Sequence, residues 1–336
     1  MSAGAVHRIS LALVAAGALA GIALLLRGNR ADEPEFAPPP VFASAEARAL
    51  SERLTILFGT PEAPLAPAGF PGSELPDPGE DGNAHLSFGR RVWRTQCLQC
   101  HGADGSANTG TAALLNPRPR DFSRGIVKFT STVAGAPATR ADLERTIRLG
   151  LPYTSMSGFD ALPESSLQTV VDYAHWLLLR AEVWNLAALR LAAGETPESA
   201  LDQAVKAASG ARATGAALLV TVPPQPPISP ASVARGAALF SDAAVGCAGC
   251  HGADGKGRGP LVWDPLAKTW LLQDAWGLPA QPRDLNAGQF HGGGAPADLY
   301  RRLHAGVKGT PMPAFGDRLT PEQLWDLIAY LSDRAK

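Results

Sequence analysis

At 336 residues and 35.0 kDa, with 46% hydrophobic and 18% charged residues, the chain is too long for one small domain, too apolar for disorder and too polar for a multi-span membrane protein. Lys and Arg total 30 against 31 Asp and Glu, so a net charge of −1 supplies no field that would attract nucleic acid. The 35 Gly and 29 Pro predict long non-helical loops that something other than a sheet or bundle core must hold in place.

The first feature along the chain is an uncharged run of 18 mostly apolar residues, Ile9 to Leu26, with His7 and Arg8 before it and Arg27 and Arg30 after it. It lies near the lower limit for a membrane span and exceeds the usual signal-peptide core of about 7–15 residues. Residues 1–30 are expected to be a signal anchor, with cleavage after Ala18-Leu19-Ala20 as the alternative, and either exports the rest of the chain. Residues 31–84 are expected to form a Pro-rich tether and linker holding one short helix, on the spacing of Leu50, Leu54, Leu57 and Phe58. A second linker is expected over 191–231. It holds a helix from about Pro197 to Ala208, then a short strand or extended segment at Leu218 to Val222 running into Pro223-Pro224-Gln225-Pro226-Pro227.

Between and after these linkers, blocks 85–190 and 232–336 repeat one another. Cys97-Leu98-Gln99-Cys100-His101-Gly102-Ala103-Asp104-Gly105 returns as Cys247-Ala248-Gly249-Cys250-His251-Gly252-Ala253-Asp254-Gly255. Pro119-Arg120-Asp121 returns as Pro282-Arg283-Asp284, and Thr154-x-Met156-x-x-Phe159 as Thr310-x-Met312-x-x-Phe315. Asp142-Leu143 and Pro163-Glu164 likewise have partners in Asp298-Leu299 and Pro321-Glu322. Matches in the same order point to a duplicated domain.

Cys-x-x-Cys-His on a helical turn lets two thiols reach the two vinyl groups of one haem while the adjacent imidazole lies beneath the iron. Two copies predict two covalently bound haem c groups, with His101 and His251 as proximal iron ligands. A zinc ribbon would want its Cys pairs about 15–20 residues apart. Dithiol redox chemistry would want a βαβ setting, and structural disulfides would leave the two histidines unexplained. Met156 and Met312 are the only methionines besides Met1, and both fall in equivalent Gly-, Pro-, Thr- and Ser-rich loops. They are the expected sixth ligands, although core packing would also suit a methionine. His85, His175, His291 and His304 are the other candidates: His175 is expected to be a packing or surface residue, and His291 and His304 loop or surface residues, with either in place of Met312 as the alternative. His/Met ligation raises the potential and closes the iron, which favours electron transfer over catalysis.

These residues resemble the class I c-type cytochromes, in a tandem dihaem arrangement. The resemblance implies an all-α fold: in each domain a first helix ending at CxxCH, a last helix crossing it, and a Met-bearing loop on the other haem face. First helices are expected at Leu86 to Gln96 and Val233 to Ser241, middle helices at Ala141 to Leu149 and Ala297 to Ala305. Last helices are expected from Glu164 to Arg180 or on to Leu191, and from Pro321 to Arg334, on stripes such as Leu324, Leu327, Ile328 and Leu331. Tyr173 and Tyr330 should pack near the first helices. Ser157 follows Met156 where the family usually has Pro, as at Pro313.

Arg120 and Arg283 either pair with haem propionates or remain solvated, or paired with a neighbouring Asp. The second block spans 32 residues from His251 to Arg283 against 19 from His101 to Arg120, and the surplus carries Trp263, Trp270 and Trp276. These should pack between domains or on a haem, or dock a partner. The expected function is that of an exported, membrane-anchored dihaem carrier of single electrons, on the periplasmic side of a bacterial inner membrane or soluble in the periplasm. It would serve a redox donor and acceptor, alone or as subunit of a respiratory complex. The rival is a dihaem enzyme resembling a peroxidase or thiosulfate dehydrogenase.

Overall fold

The structure, a computed structural model, describes residues 44–67, 75, 80–213 and 218–335. The apolar run from Ile9 to Leu26 and the segment after it lie outside the described residues, among which no helix is long and apolar enough to cross a membrane. In chain order the helices are α1 (Ala45–Phe58), α2 (Glu80–Gln96), α3 (Leu98–His101), α4 (Gly110–Leu114), α5 (Arg140–Leu149), α6 (Glu164–Ala192), α7 (Pro197–Ala213), α8 (Pro230–Ser241), α9 (Cys247–His251), α10 (Pro296–Ala305) and α11 (Pro321–Arg334). Strand elements among the described residues are two short hairpins, β1 (Gly59–Thr60) with β2 (Ala63–Pro64) and β3 (Trp263–Asp264) with β4 (Thr269–Trp270). The described residues are therefore mostly helical, in line with the all-α fold that the resemblance implied.

Helix starts follow side chains that satisfy free backbone N–H groups. Thr139, Ser229 and Thr320 form capping boxes at α5, α8 and α11, the last two reinforced by Pro in the first turn. The apolar stripes then sort the helices into two cores. The first is built on α2 crossing α6, with Leu86, Trp93, Leu167, Val171 and Tyr173 buried. The second is built on α8 crossing α11, with Phe240, Leu324, Leu327 and Ile328 buried.

Both crossings depend on a glycine. A Cβ on Gly89 would stand 2.0 Å from the Thr169 carbonyl oxygen, and one on Gly236 2.0 Å from that of Asp326. No side chain fits there, so the helix backbones touch and Tyr173 and Tyr330 lie directly against the two glycines.

The linkers need correction. Leu50, Leu54 and Phe58 of α1 are no more than 1% exposed and belong to the first core, as do Ala200, Ala204 and Ala208 of α7. Full burial of each large apolar side chain contributes about 1.5–3 kcal/mol, so α1 is a brace and not part of a tether. Leu75, in the middle of the expected Pro-rich linker, also packs on this core. Residues 191–213 continue α6 and return along it as α7, and Val220 joins the second core after Leu219 bridges to Thr132.

Candidate functional site

Each CxxCH sequence forms one tight helical turn, α3 or α9, closed by a glycine whose N–H bonds back to Leu98 O at 2.8 Å or Ala248 O at 2.9 Å. The four cysteines carry free thiols and are half-buried. Burial pushes the Cys97 thiol up to about 12 and the Cys247 thiol up to about 11. Dithiol redox chemistry requires the opposite, a depressed thiol pKa. Among the described residues no three His, Cys, Asp or Glu side chains gather to hold a metal ion.

The two motif histidines are oriented from behind. His101 Nδ1 donates to Arg120 O at 2.9 Å and His251 Nδ1 to Arg283 O at 3.4 Å, which leaves Nε2 as the unprotonated nitrogen in each ring. Burial holds both imidazoles below their usual range, against the opposing effect of those carbonyls. The Pro-Arg-Asp motif thus acts through its backbone: the Arg carbonyl orients the ring, and the Asp carboxylate caps the next turn, accepting from Ser123 N at 2.7 Å or Asn286 N at 2.9 Å.

The methionine loops are equally alike. Met156 N donates to Thr154 Oγ1 at 3.0 Å and Met312 N to Thr310 Oγ1 at 3.3 Å. Each loop is shut by its methionine carbonyl, which accepts from Leu151 N at 2.9 Å or Val307 N at 3.3 Å. Met156 and Cys97 abut the first core, and Met312 and Cys247 the second, so thiol and thioether of each repeat converge on one core. Neutral imidazole, free thiols and a thioether are the donor set that covalent haem with His/Met ligation requires, and these residues fit it.

Sequence reasoning missed the lining around His101. Trp93 donates from Nε1 to Gly102 O at 2.8 Å, and Phe122 stacks on the His101 ring with centroids 5.3 Å apart. Trp93 lies four residues before Cys97, whereas its counterpart Phe240 lies seven before Cys247, and this offset hid the equivalence. The roles of Thr154 and Thr310 could have been read from their shared place two residues before each methionine.

The other candidates are committed elsewhere. His85 pairs with Asp172 at 2.8 Å, and His304 stacks on Tyr300 and packs against Gly316. His175 is fully within the first core with neither ring nitrogen bonded, and burial pushes its pKa down to about 3. The two arginine side chains, expected to face propionates, solvent or a neighbouring Asp, are both engaged by the second domain. The Arg120 guanidinium lies 3.9 Å from the centroid of the Trp276 ring, and Arg283 Nη1 donates to His291 Nε2 at 2.5 Å. Trp263 and Trp270 pack against each other across the β3–β4 hairpin, and Trp276 reaches the first domain.

Comparisons with known proteins fall on the same two blocks. Residues 233–334 match the family described as Cytochrome c, and residues 84–173 match Cytochrome C oxidase, cbb3-type, subunit III. The cbb3-type cytochrome c oxidase subunit FixP of Sinorhizobium medicae is 31% identical over 114 residues, which is 32% of this chain and 31% of that protein. The match therefore spans about a third of that relative's length. A chain of the Kuenenia stuttgartiensis reducing HAO-like protein complex superposes with a TM-score of 0.58 at 26% identity, covering 74% of this chain and 96% of its own.

Proposed function

Because the chain is a class I c-type cytochrome with two domains in tandem, we propose that it is a dihaem carrier of single electrons between redox partners. Cys97 and Cys100 would hold one haem through thioether bonds, and Cys247 and Cys250 the other. His101 with Met156, and His251 with Met312, would be the axial pairs. When bound, each group supplies a one-electron Fe(III)/Fe(II) couple.

The chain's own residues do the rest. Arg120 and Arg283 carbonyls fix the imidazole tautomer, and the Thr154 and Thr310 hydroxyls set the methionine loops. The observation that carries this reading is the doubled hydrogen-bond frame, which repeats the same arrangement behind His101 and His251 and in the loops of Met156 and Met312, and so supports an equivalent ligand pair at both sites. An enzyme of the peroxidase or thiosulfate dehydrogenase type would need one site to differ in kind, with a displaceable or cysteine ligand. The lasting-subunit version of the carrier reading, in which the haems wire a larger oxidoreductase, is favoured by two relatives. One is named as an oxidase subunit and the other is a chain of a complex.

Attachment of haem to these thiols belongs outside the cytosol, and the Ile9 to Leu26 run supports export, with anchoring to the inner membrane or release into the periplasm after cleavage. The test is a pyridine haemochrome assay with a potentiometric titration of the purified protein. Two thioether-bound haems per chain, each titrating as one electron and both low-spin, are expected. A high-spin ferric site with peroxide turnover would overturn the carrier reading. Fractionation of cells into membrane and periplasm, each probed for haem-stained protein, checks the location.

A further inference from the structure

Among the contacts between the two domains, two are made by residues of the second domain placed in mirrored fashion. Trp276, only 2% exposed, donates from Nε1 to Asp121 O at 2.9 Å, one peptide beyond the Arg120 carbonyl that orients His101. Its ring lies against Gly309, where a Cβ would come within 2.6 Å, and Ala275 N bonds Gly309 O at 2.8 Å. Gly309 lies in the loop that carries Met312. The loop behind the first histidine is therefore pinned to the methionine loop of the second domain.

His291 makes the converse link. Its Nε2 accepts from Arg283, whose carbonyl orients His251, and its Nδ1 donates to Pro152 O at 2.8 Å, in the loop that carries Met156. The loop behind the second histidine is pinned to the methionine loop of the first domain. Around these links Lys128 bonds Asp274 at 3.0 Å and Arg145 bonds Asp298 at 2.9 Å, closing the same interface.

The geometry points to Trp276 and His291 as reciprocal positioning residues that make each haem site the joint product of both domains, so that a change at one site alters the potential of the other. This rests on the dihaem reading. No atom or electron passes through either link; each transmits the position of a ligand-bearing loop and the dipoles of its peptides, which tune the iron from outside its coordination sphere. Packed loops of this kind couple as neighbours do, by amounts that double-mutant cycles resolve.

The experiment is such a cycle, read by redox titration with the two haems resolved spectroscopically. Met312→Ala in the otherwise unchanged chain is expected to alter the reduced-to-oxidised ratio of the first haem, at fixed potential, by about fivefold, the factor that corresponds to about 1 kcal/mol of coupling. Adding Trp276→Ala and His291→Ala should abolish that cross-effect while two thioether-bound haems remain. Trp276→Phe, which keeps an aromatic ring but loses the N–H bond to Asp121 and the indole's far edge against Gly309, serves if the alanine variants do not fold, and should remove part of it. A first haem indifferent to Met312→Ala, or a cross-effect that survives undiminished in the Trp276 and His291 variants, overturns the inference. Haem count by pyridine haemochrome reports separately on the dihaem reading beneath it.

Discussion

The two attachment sites share one hydrogen-bond frame and differ in what surrounds it. Around His101 stand Trp93 and Phe122, and the ring's bond to its carbonyl is 2.9 Å; around His251 the corresponding positions hold Phe240 and Leu285, and the bond is 3.4 Å. The first domain is also braced by α1 and α7, which have no equivalent among the described residues of the second. The frame joins backbone carbonyls to the Thr154, Thr310, Asp121 and Asp284 side chains and recurs in both repeats. The lining is side-chain chemistry and is free to set polarity, burial and the basicity of the histidine, the quantities that tune a haem potential.

Removing a proposed axial ligand should break the comparison most severely. Met156→Ala and Met312→Ala should each lower the potential of their own site by on the order of 0.1 V or more and abolish the sulfur-to-iron charge-transfer band of that site alone, checked by spectroelectrochemistry. Next come the crossings. Gly89→Ala and Gly236→Ala each drive a Cβ into a carbonyl oxygen at 2.0 Å, and each should destabilise its domain by about 3 kcal/mol in denaturant unfolding.

His175 separates the two cores by pH. Its folded pKa of about 3 lies below the unfolded value of 6.5, so the folded state binds fewer protons between these values. Stability is full above pH 6.5 and falls towards pH 3, with a slope of at most about 1.4 kcal/mol per pH unit. His175→Leu should flatten that acid limb in the first domain and leave the second unchanged, as chemical denaturation at pH 7 and pH 4.5 would show. Phe122→Leu gives the smallest effect and the sharpest one: it copies Leu285 into the first site, should cost about 1 kcal/mol of ring packing, and should narrow the gap between the two potentials.

Much of this was legible because repetition makes chemistry visible. CxxCH, Pro-Arg-Asp and Thr-x-Met each recur, and helices bounded by Thr139, Ser229 and Thr320 carry their own caps. What the sequence hid were partnerships across long stretches of chain. An Ala-rich helix such as α7 looks the same whether it packs or floats, and it is α6 running on to Ala192, together with α1, that supplies the surface burying it. Trp276 reads as an aromatic in an insert until Asp121, 155 residues earlier, receives its N–H. His291 had no equivalent in the first block, and that lack of an equivalent gave no hint of the bridge it makes to Pro152.

The length of α6 has a practical corollary. Its 29 residues extend well past the crossing with α2, and Val183 and Ala187 on that extension are fully shielded by the brace helices. A fragment cut at the limits of the repeat would bare this apolar flank to solvent and would be prone to self-association. Anyone expressing the first haem unit in isolation should begin it at Ser44 and carry it through Ala213, so that the flank keeps its cover.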